Sequence, residues 1–133
     1  MEKRSFEKRN LENGDIIVEK SGGSDNFPVG RSILYSGENG KYSFSNFTMS
    51  LRIANKNSIL PEYLYYVLQY WYRRGDMKQL QTQTTGLHNL LTDRFMSMSI
   101  PLPPEKEQAR IIQAIQSLFE LVNGIRDCIN DCE

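Results

Sequence analysis

The chain has 133 residues, a length that suits one domain with a real hydrophobic core and no need for metal or disulfide cross-links. Hydrophobic residues make up 39% of it and charged residues 24%, which predicts a globular fold rather than a disordered chain. No long apolar run is present, and the charged segment 1–10 lacks the apolar core of a signal peptide. We therefore expect a cytoplasmic protein.

The net charge is zero, but it is unevenly distributed. Residues 1–104 contain 13 Lys and Arg against 10 Asp and Glu, whereas residues 105–133 contain 3 against 6. Such a split predicts two parts with different partners. The basic excess is much smaller than that of a typical free-standing DNA-binding module, so charge alone does not indicate a nucleic-acid partner.

The first third of the chain has strand-like segments. Residues 15–19 follow an Asn13-Gly14 turn and predict a strand. Residues 21–24 (SGGS) predict a flexible loop. Residues 31–35 and 42–53 are further strand candidates, and the second changes the phase of its alternation near Asn46, which predicts a bulge.

A helix is predicted next, beginning at Pro61 and ending at Gly75 after two arginines. A second helical piece is predicted over 76–81, a polar loop over 82–89 and an extended segment over 96–100. The elements together predict an α+β fold, in which a small, mixed, twisted β-sheet has flanking helices and precedes a long C-terminal coiled-coil helix.

That last helix, residues 105–133, has the clearest pattern in the sequence. Pro101, Pro103 and Pro104 form a stiff lead-in, and Pro104 suits the first helical position. The apolar residues are then spaced 4, 3, 4, 3, 4, as in a heptad seam: Ile111, Ile115, Leu118, Val122, Ile125 and Ile129. A helix of this kind favours pairing with a partner helix; the alternative is that it packs against its own globular part.

Enzymatic chemistry is not indicated. The sequence has no glycine-rich nucleotide-binding motif, and one histidine supplies little acid–base chemistry. Cys128 and Cys132 lie four apart, enough for half of a zinc site, but the other two ligands are missing. We therefore expect reduced thiols, no metal and no cofactor.

Several segments match, in a fixed order, the motifs of one known family. Residues 11–18 (LENGDIIV) are similar to its "L-x-x-G-D-I" strand, and residues 21–31 to its "S-G … G-R" stretch. Further matches are Asn46 before a strand, Pro61–Leu64 (PEYL) at a helix start, Thr84–Leu90 (TTGLHNL) in a loop, and Ile100–Gln108 (IPLPPEKEQ) at the junction with the helix. The family that these segments resemble is the specificity subunit of type I restriction–modification systems, and in particular its target recognition domain.

The resemblance implies two parts: a target recognition domain over 1–104, incomplete at its N-terminus, and the start of a spacer helix over 105–133. It implies that the domain reads one half of a bipartite site in double-stranded DNA. The helix would dock methyltransferase subunits and, through them, restriction subunits, which would carry out adenine methylation and ATP-dependent cleavage. The chain departs from the family's pattern because it has one domain and one helix where a complete subunit has two of each. Pairing with a second copy, or with another specificity half, would supply the missing half.

Site candidates follow from residue type and position in this scheme. The candidates for phosphate contact are the basic residues Lys20, Arg31, Lys41, Arg52, Arg73, Arg74 and Lys78. The candidates for base contact carry amide, hydroxyl or imidazole groups: Asn26, Gln79, Gln81, Gln83, Thr84 and His88. The six apolar residues of the heptad seam are the candidates for partner contact.

Two alternatives remain. One is an assembly or inhibitor protein, or a silent cassette fragment, that binds specificity subunits through its helix without reading DNA. The other is a nuclease-like enzyme built around Asp15 and Glu19-Lys20. In the nucleases that this pattern resembles, the glutamate and lysine are two residues apart, whereas here they are adjacent.

Overall fold

The computed structural model describes residues 9–82 and 86–132. The strands are β1 (Ile16–Glu19), β2 (Ser21–Gly23), β3 (Ser32–Leu34), β4 (Thr48–Leu51) and β5 (His88–Asn89). The helices are α1 (Pro61–Arg74), a 3₁₀ helix (Asp76–Leu80), α2 (Thr92–Met96) and α3 (Glu105–Asp131). The fold is α+β, as predicted, and no helix in the described ranges is long and apolar enough to span a membrane.

β1 is the centre of a three-stranded antiparallel sheet with the order β3-β1-β4. Its alternating residues Ile16 and Val18 are fully buried, because one face of the sheet packs against α1. Leu64, Leu68 and Trp71 from α1 complete this part of the core. The predicted strands over 15–19 and 31–35 are confirmed.

The segment predicted as a flexible loop, 21–24, instead contains β2, which pairs antiparallel with β5. The prediction was wrong because the glycines allow close packing of the backbone here and do not make the segment flexible. A side-chain Cβ at Gly23 would lie 2.6 Å from the backbone nitrogen of Val29. The predicted loop over 82–89 is corrected at its end, since His88 and Asn89 form β5.

The predicted strand over 42–53 is shorter than expected. Ser43 makes only an isolated bridge with Asn10, and β4 begins at Thr48. Between them, the Ser45 hydroxyl accepts a hydrogen bond from the Phe47 N–H (3.2 Å). The phase change near Asn46 therefore reflects a serine-initiated turn and not a bulge in a continuous strand.

α1 begins and ends where the sequence predicts. Pro61 occupies its first turn, and Gly75 closes it in the left-handed conformation (φ 94°). The predicted helical piece over 76–81 is the 3₁₀ helix. The predicted extended segment over 96–100 begins too early, because Met96 still belongs to α2, a five-residue helix that is too short to show an apolar period.

Pro104 is the N-cap of α3 and not its first helical residue as predicted, so the helix begins one residue later, at Glu105. Its first turns pack against the globular part: Gln108 is fully buried, and Ile111 and Ile115 are half-buried beside α1. All described residues from 116 onwards are exposed. Packing against its own globule therefore applies only to the start of this helix.

Candidate nucleic-acid interface

The two ends of β1 carry different polar surroundings, here named the Asp15 end and the Glu19 end. β3 and β4 run antiparallel to β1, so Arg31 lies beside Glu19 whereas Arg52 lies beside Asp15. α1 starts near Gly14 and reaches Pro28 with the Tyr72 hydroxyl, which donates to its carbonyl (3.2 Å). The basic C-terminus of α1 is therefore placed at the Glu19 end.

Arg52 is held within a cluster of acceptors at the Asp15 end. Its Nε and Nη2 donate to the two carboxylate oxygens of Asp15 (2.9 and 2.8 Å), and its Nη1 donates to Glu12 (2.8 Å). Burial raises the pKa of Asp15, but the hydrogen bonds and charge of Arg52 and the backbone amide of Glu12 outweigh it, so the pKa lies below its usual value. The cluster fastens β4 to the start of β1.

Lys41 also lies at the Asp15 end, because its neighbours Gly40 and Tyr42 hydrogen-bond to the backbone of Leu11. Its ammonium is 3.1 Å from the Glu38 carboxylate and 5.8 Å from the centre of the Tyr42 ring. The structure thus separates Lys41 and Arg52 from the other basic candidates.

Two arginines at the Glu19 end have carboxylate partners and yet remain largely exposed. Arg31 makes two hydrogen bonds with Glu19 (2.7 and 3.0 Å). Arg74 donates from Nε to both carboxylate oxygens of Asp76 (3.0 and 2.9 Å), and its Nη2 lies 2.6 Å from one of them. Its guanidinium lies 5.1 Å from the centre of the Tyr70 ring. Both guanidinium groups are held in fixed positions at the surface.

Lys20 and Arg73 differ from them in having no ion-pair partner among the residues that the structure describes. Lys20 joins β1 to β2. Arg73 is exposed one turn beyond Gln69, whose amide donates to the Ser32 carbonyl (2.8 Å), so it lies on the α1 face that borders β3. Lysine and arginine side chains that no carboxylate neutralises are the ones best able to attract phosphate.

Three further candidates lie close to these on two loops. Asn26 is exposed in the tight turn 24–27, which follows β2. Lys78 and Gln79 are exposed on the 3₁₀ helix, and the helix touches Gly30 through the Met77 side chain. The Glu19 end therefore brings together cationic and amide groups from the β1–β2 link, the 24–31 region, the end of α1 and the 3₁₀ helix.

Gln81 and His88, both predicted to contact bases, are buried and bonded within the protein. The Gln81 amide oxygen accepts a hydrogen bond from the Val29 N–H (3.2 Å). The His88 ring contacts the Thr82 carbonyl and the Asp25 carboxylate. Both side chains hold the loops of the Glu19 end together. The candidates Gln83 and Thr84 lie outside the described residues.

Sequence reasoning missed two kinds of residue. The first kind is apolar: Phe27 and Leu87 have large, exposed side chains next to the polar candidates. Their position in turn-like segments of the sequence could have indicated this exposure. Gln108 was quoted only as part of a motif. In the structure its amide oxygen accepts from the Leu60 N–H (2.8 Å), and its nitrogen donates to the carbonyls of Ser58 and Pro103 (3.0 and 2.9 Å).

The heptad seam of α3, like the helix itself, has a packed first part and an exposed second part. Its first two members pack beside α1, and the other four are 58–62% exposed: Leu118, Val122, Ile125 and Ile129. Cys128 and Cys132 are exposed free thiols on this half of the helix. Within the described ranges, no three side chains of the metal-binding types come together.

The structure is thus a small α+β domain with exposed basic and amide side chains at the Glu19 end, followed by a helix whose second half is exposed. Residues 2–131 match the family of the type I restriction modification DNA specificity domain, and the chain belongs to that family.

Three relatives show the same relationship. The chain is 27% identical, over 98% of its length, to the type I restriction enzyme StySPI specificity subunit of Salmonella potsdam. It is 24% identical over 84% of its length to a candidate type I restriction enzyme MjaX specificity subunit of Methanocaldococcus jannaschii. It is 29% identical over 86% of its length to a candidate type I restriction enzyme specificity subunit, S.HindORF215P, of Haemophilus influenzae. The matches span only 28%, 26% and 26% of these proteins, so the chain corresponds to about a quarter of each relative.

Proposed function

We propose that this chain reads one half of a bipartite DNA site for a type I restriction–modification complex, and that DNA docks at the Glu19 end. The observation that carries the proposal is the meeting, at this end, of exposed cationic and amide groups from four separate segments of a DNA specificity domain. The chain itself is a non-catalytic component, needs no cofactor and acts in the cytoplasm.

Two kinds of contact are assigned to this surface. Phosphates are held by the basic residues of the Glu19 end, namely Lys20, Arg31, Arg73, Arg74 and Lys78. Bases are read by Asn26 and Gln79, together with the sequence-based candidates Gln83 and Thr84. Lys41 and Arg52 are left out because they lie at the opposite end of β1. Gln81 and His88 are left out because their side chains are buried and make hydrogen bonds within the fold.

α3 supplies the second part of the proposal. Residues 1–104 form the reading domain, and residues 105–133 form a spacer that docks methyltransferase subunits and, through them, restriction subunits. Four exposed apolar residues along one stripe support pairing with the same helix of a second copy or of another specificity half. Such pairing would place two reading domains at a defined spacing.

The experiment is a DNA titration of the full chain at several salt concentrations. Fluorescence anisotropy with a labelled random-sequence duplex gives the affinity between 50 and 200 mM salt. Five phosphate contacts predict a log–log slope of about −4.5, because each contact releases about 0.9 counterion. Affinity that does not change with salt, or no binding at 50 mM, would contradict the proposal.

The exposed stripe on α3 also favours a second candidate, an assembly or inhibitor protein that binds specificity subunits without reading DNA. The same titration distinguishes the two functions. A protein of the second kind would bind a full-length specificity subunit through α3 and would leave the duplex free at all salt concentrations.

A further inference from the structure

The two ring nitrogens of His88 both face oxygen atoms. Nδ1 lies 2.7 Å from the Thr82 carbonyl oxygen, and Nε2 lies 3.0 Å from Oδ1 of Asp25. The histidine is buried, whereas the Asp25 side chain is 94% exposed. A buried ring with two close polar partners is a fixed link between the segments that carry those partners.

The chemistry of the partners determines which form of the ring satisfies both contacts. A carbonyl oxygen and a carboxylate oxygen are acceptors only, and a neutral imidazole has just one N–H to donate. In the neutral form, one of the two contacts would place a nitrogen lone pair against an oxygen. Only the imidazolium form donates from both nitrogens, so it is the form of the ring that satisfies both contacts.

The link spans the loops on which the proposed DNA contacts lie. Asp25 precedes Asn26 in the turn 24–27, and Thr82 follows Gln81, which holds the backbone of Val29. His88 itself belongs to β5 and is paired with Gly23 of β2. The ring therefore fastens the Asn26 turn to the strand and the segment that follow the 3₁₀ helix.

We propose that His88 is a positioning residue whose imidazolium holds the Asn26 turn in its DNA-reading position, so that DNA discrimination depends on the protonation of this one side chain. The inference rests on the proposed function, and it adds the group that sets the geometry of the reading surface. His88 does not contact DNA in this scheme but acts through Asp25 and Asn26.

The groups around the His88 ring allow a pH dependence of DNA discrimination to be assigned to this side chain. Among the described residues, Asp25 is the titratable group in contact with it. β2 faces it with Gly23, and the preceding segment faces it with the Thr82 carbonyl, neither of which titrates. His88 is also the only histidine in the chain. A change between pH 6.0 and 7.5, where histidines lose their proton, therefore points to this side chain.

Two substitutions of the exposed partner separate the hydrogen bond from the charge. Asp25→Asn and Asp25→Ala remove the same negative charge, and neither disturbs the core. Asparagine can accept from an Nε2–H or donate to a bare Nε2, so the link survives in both forms of the ring. Alanine can do neither, so the link is lost at every pH.

The experiment measures the affinity of the full chain for two duplexes, one selected by the wild-type chain from a random pool and one of random sequence. For the wild type, preference for the selected duplex should fall about three- to tenfold between pH 6.0 and 7.5, the effect of one hydrogen bond. Asp25→Ala should show the low preference throughout, and Asp25→Asn should keep the high preference at both values. Loss of the Asp25 charge alone would change the affinity for both duplexes alike, in both variants, and would leave the preference unchanged.

Equal preference and equal pH profiles for the two variants would overturn the inference. So would ¹⁵N chemical shifts that show only one protonated ring nitrogen in the wild type at pH 6.0. Absence of binding to either duplex at every pH would instead contradict the proposed function and with it the link to DNA, while the nitrogen shifts would still decide whether the imidazolium bridge exists.

Discussion

Arginine has two different surroundings at the two ends of β1, although the side chain is the same. Arg52 donates four hydrogen bonds to Asp15, Glu12 and the Asn10 carbonyl, so its donors and its charge are used within the fold. Arg73 has no ion-pair partner among the described residues. At the residue scale, Arg52 is therefore a stabilising group, whereas the charge of Arg73 is available to a ligand.

Substitution of Arg52 by alanine should therefore lower the free energy of unfolding. The change leaves Asp15, whose side chain is only 2% exposed, without its main donors, at a cost of about 2 kcal/mol. Urea unfolding measures this loss of stability. The matched surface control is Lys41→Ala, for which a loss of about 0.5 kcal/mol or less is expected. Equal losses for the two variants would contradict a structural role for Arg52.

The same cluster predicts a pH dependence. Because the pKa of Asp15 is lower in the folded protein than its ordinary value of 3.8, its contribution to stability is complete above that value and is lost as the pH falls through the folded pKa. Urea midpoints between pH 5 and pH 2.5 should fall less steeply for Asp15→Asn than for the wild type. Parallel curves would show that Asp15 does not contribute.

Arg73 should matter for DNA instead of stability. Arg73→Ala should reduce the magnitude of the salt slope of DNA binding by about 1, because one phosphate contact is lost, and it should leave the urea midpoint unchanged. Arg126→Ala on the exposed part of α3 removes the same charge far along the helix and should leave the slope unchanged. A larger effect for Arg126 would place the DNA on the helix instead.

At the scale of elements, one side chain joins the globular part to α3. Gln108 is completely buried and makes three hydrogen bonds, to the residue before α1, to the loop that precedes it and to the proline lead-in. Only the first turns of α3 have apolar neighbours in the globule, so these bonds fix the direction in which the helix leaves it.

Gln108→Ala should destabilise the chain by about 2–3 kcal/mol, since it leaves a buried N–H and two carbonyls without partners. Gln113→Ala, on an exposed turn of the same helix, is the matched control and should have almost no effect. Hydrogen exchange should also show faster exchange at the start of α3 in the Gln108 variant alone. Equal stability of the two variants would contradict the role of Gln108 as the joint.

The elements also show where sequence reasoning succeeds. β1, α1 and α3 were predictable because each has a clear apolar period and, in α1, residues that mark both ends. The strand in segment 21–24 was not predictable from the sequence. Its glycine at position 23 lets the backbone approach Val29 closely, and this contact is visible only in the folded chain. For the same reason the sequence could list polar candidates but could not tell that Gln81 and His88 point inward.

At the scale of the whole molecule, the exposed half of α3 carries a stripe of apolar side chains that the described part of the chain leaves uncovered. Its four seam residues lie on a helix that has no neighbour within the described chain beyond residue 115. The chain also covers only about a quarter of its relatives. The exposed seam supports the proposed pairing of α3 with another helix.

If α3 pairs in this way, Val122→Asp together with Ile129→Asp should make the chain monomeric, because both charges would enter the seam. Gln116→Asp together with Asn123→Asp places two charges seven residues apart just outside the seam and should preserve the association. Sedimentation equilibrium gives the mass of each variant. A monomeric wild type, or loss of association in both double variants, would contradict the assigned seam.

The central claim is that the chain selects DNA sequences for a methyltransferase complex, and an adenine-methylation map of the source cell, with and without this gene, tests it most directly. The account predicts that one bipartite methylated motif is lost or altered when the gene is removed, and that the motif is palindromic if two copies of the chain pair. An unchanged map would contradict DNA reading by this chain and would favour a partner that only binds specificity subunits.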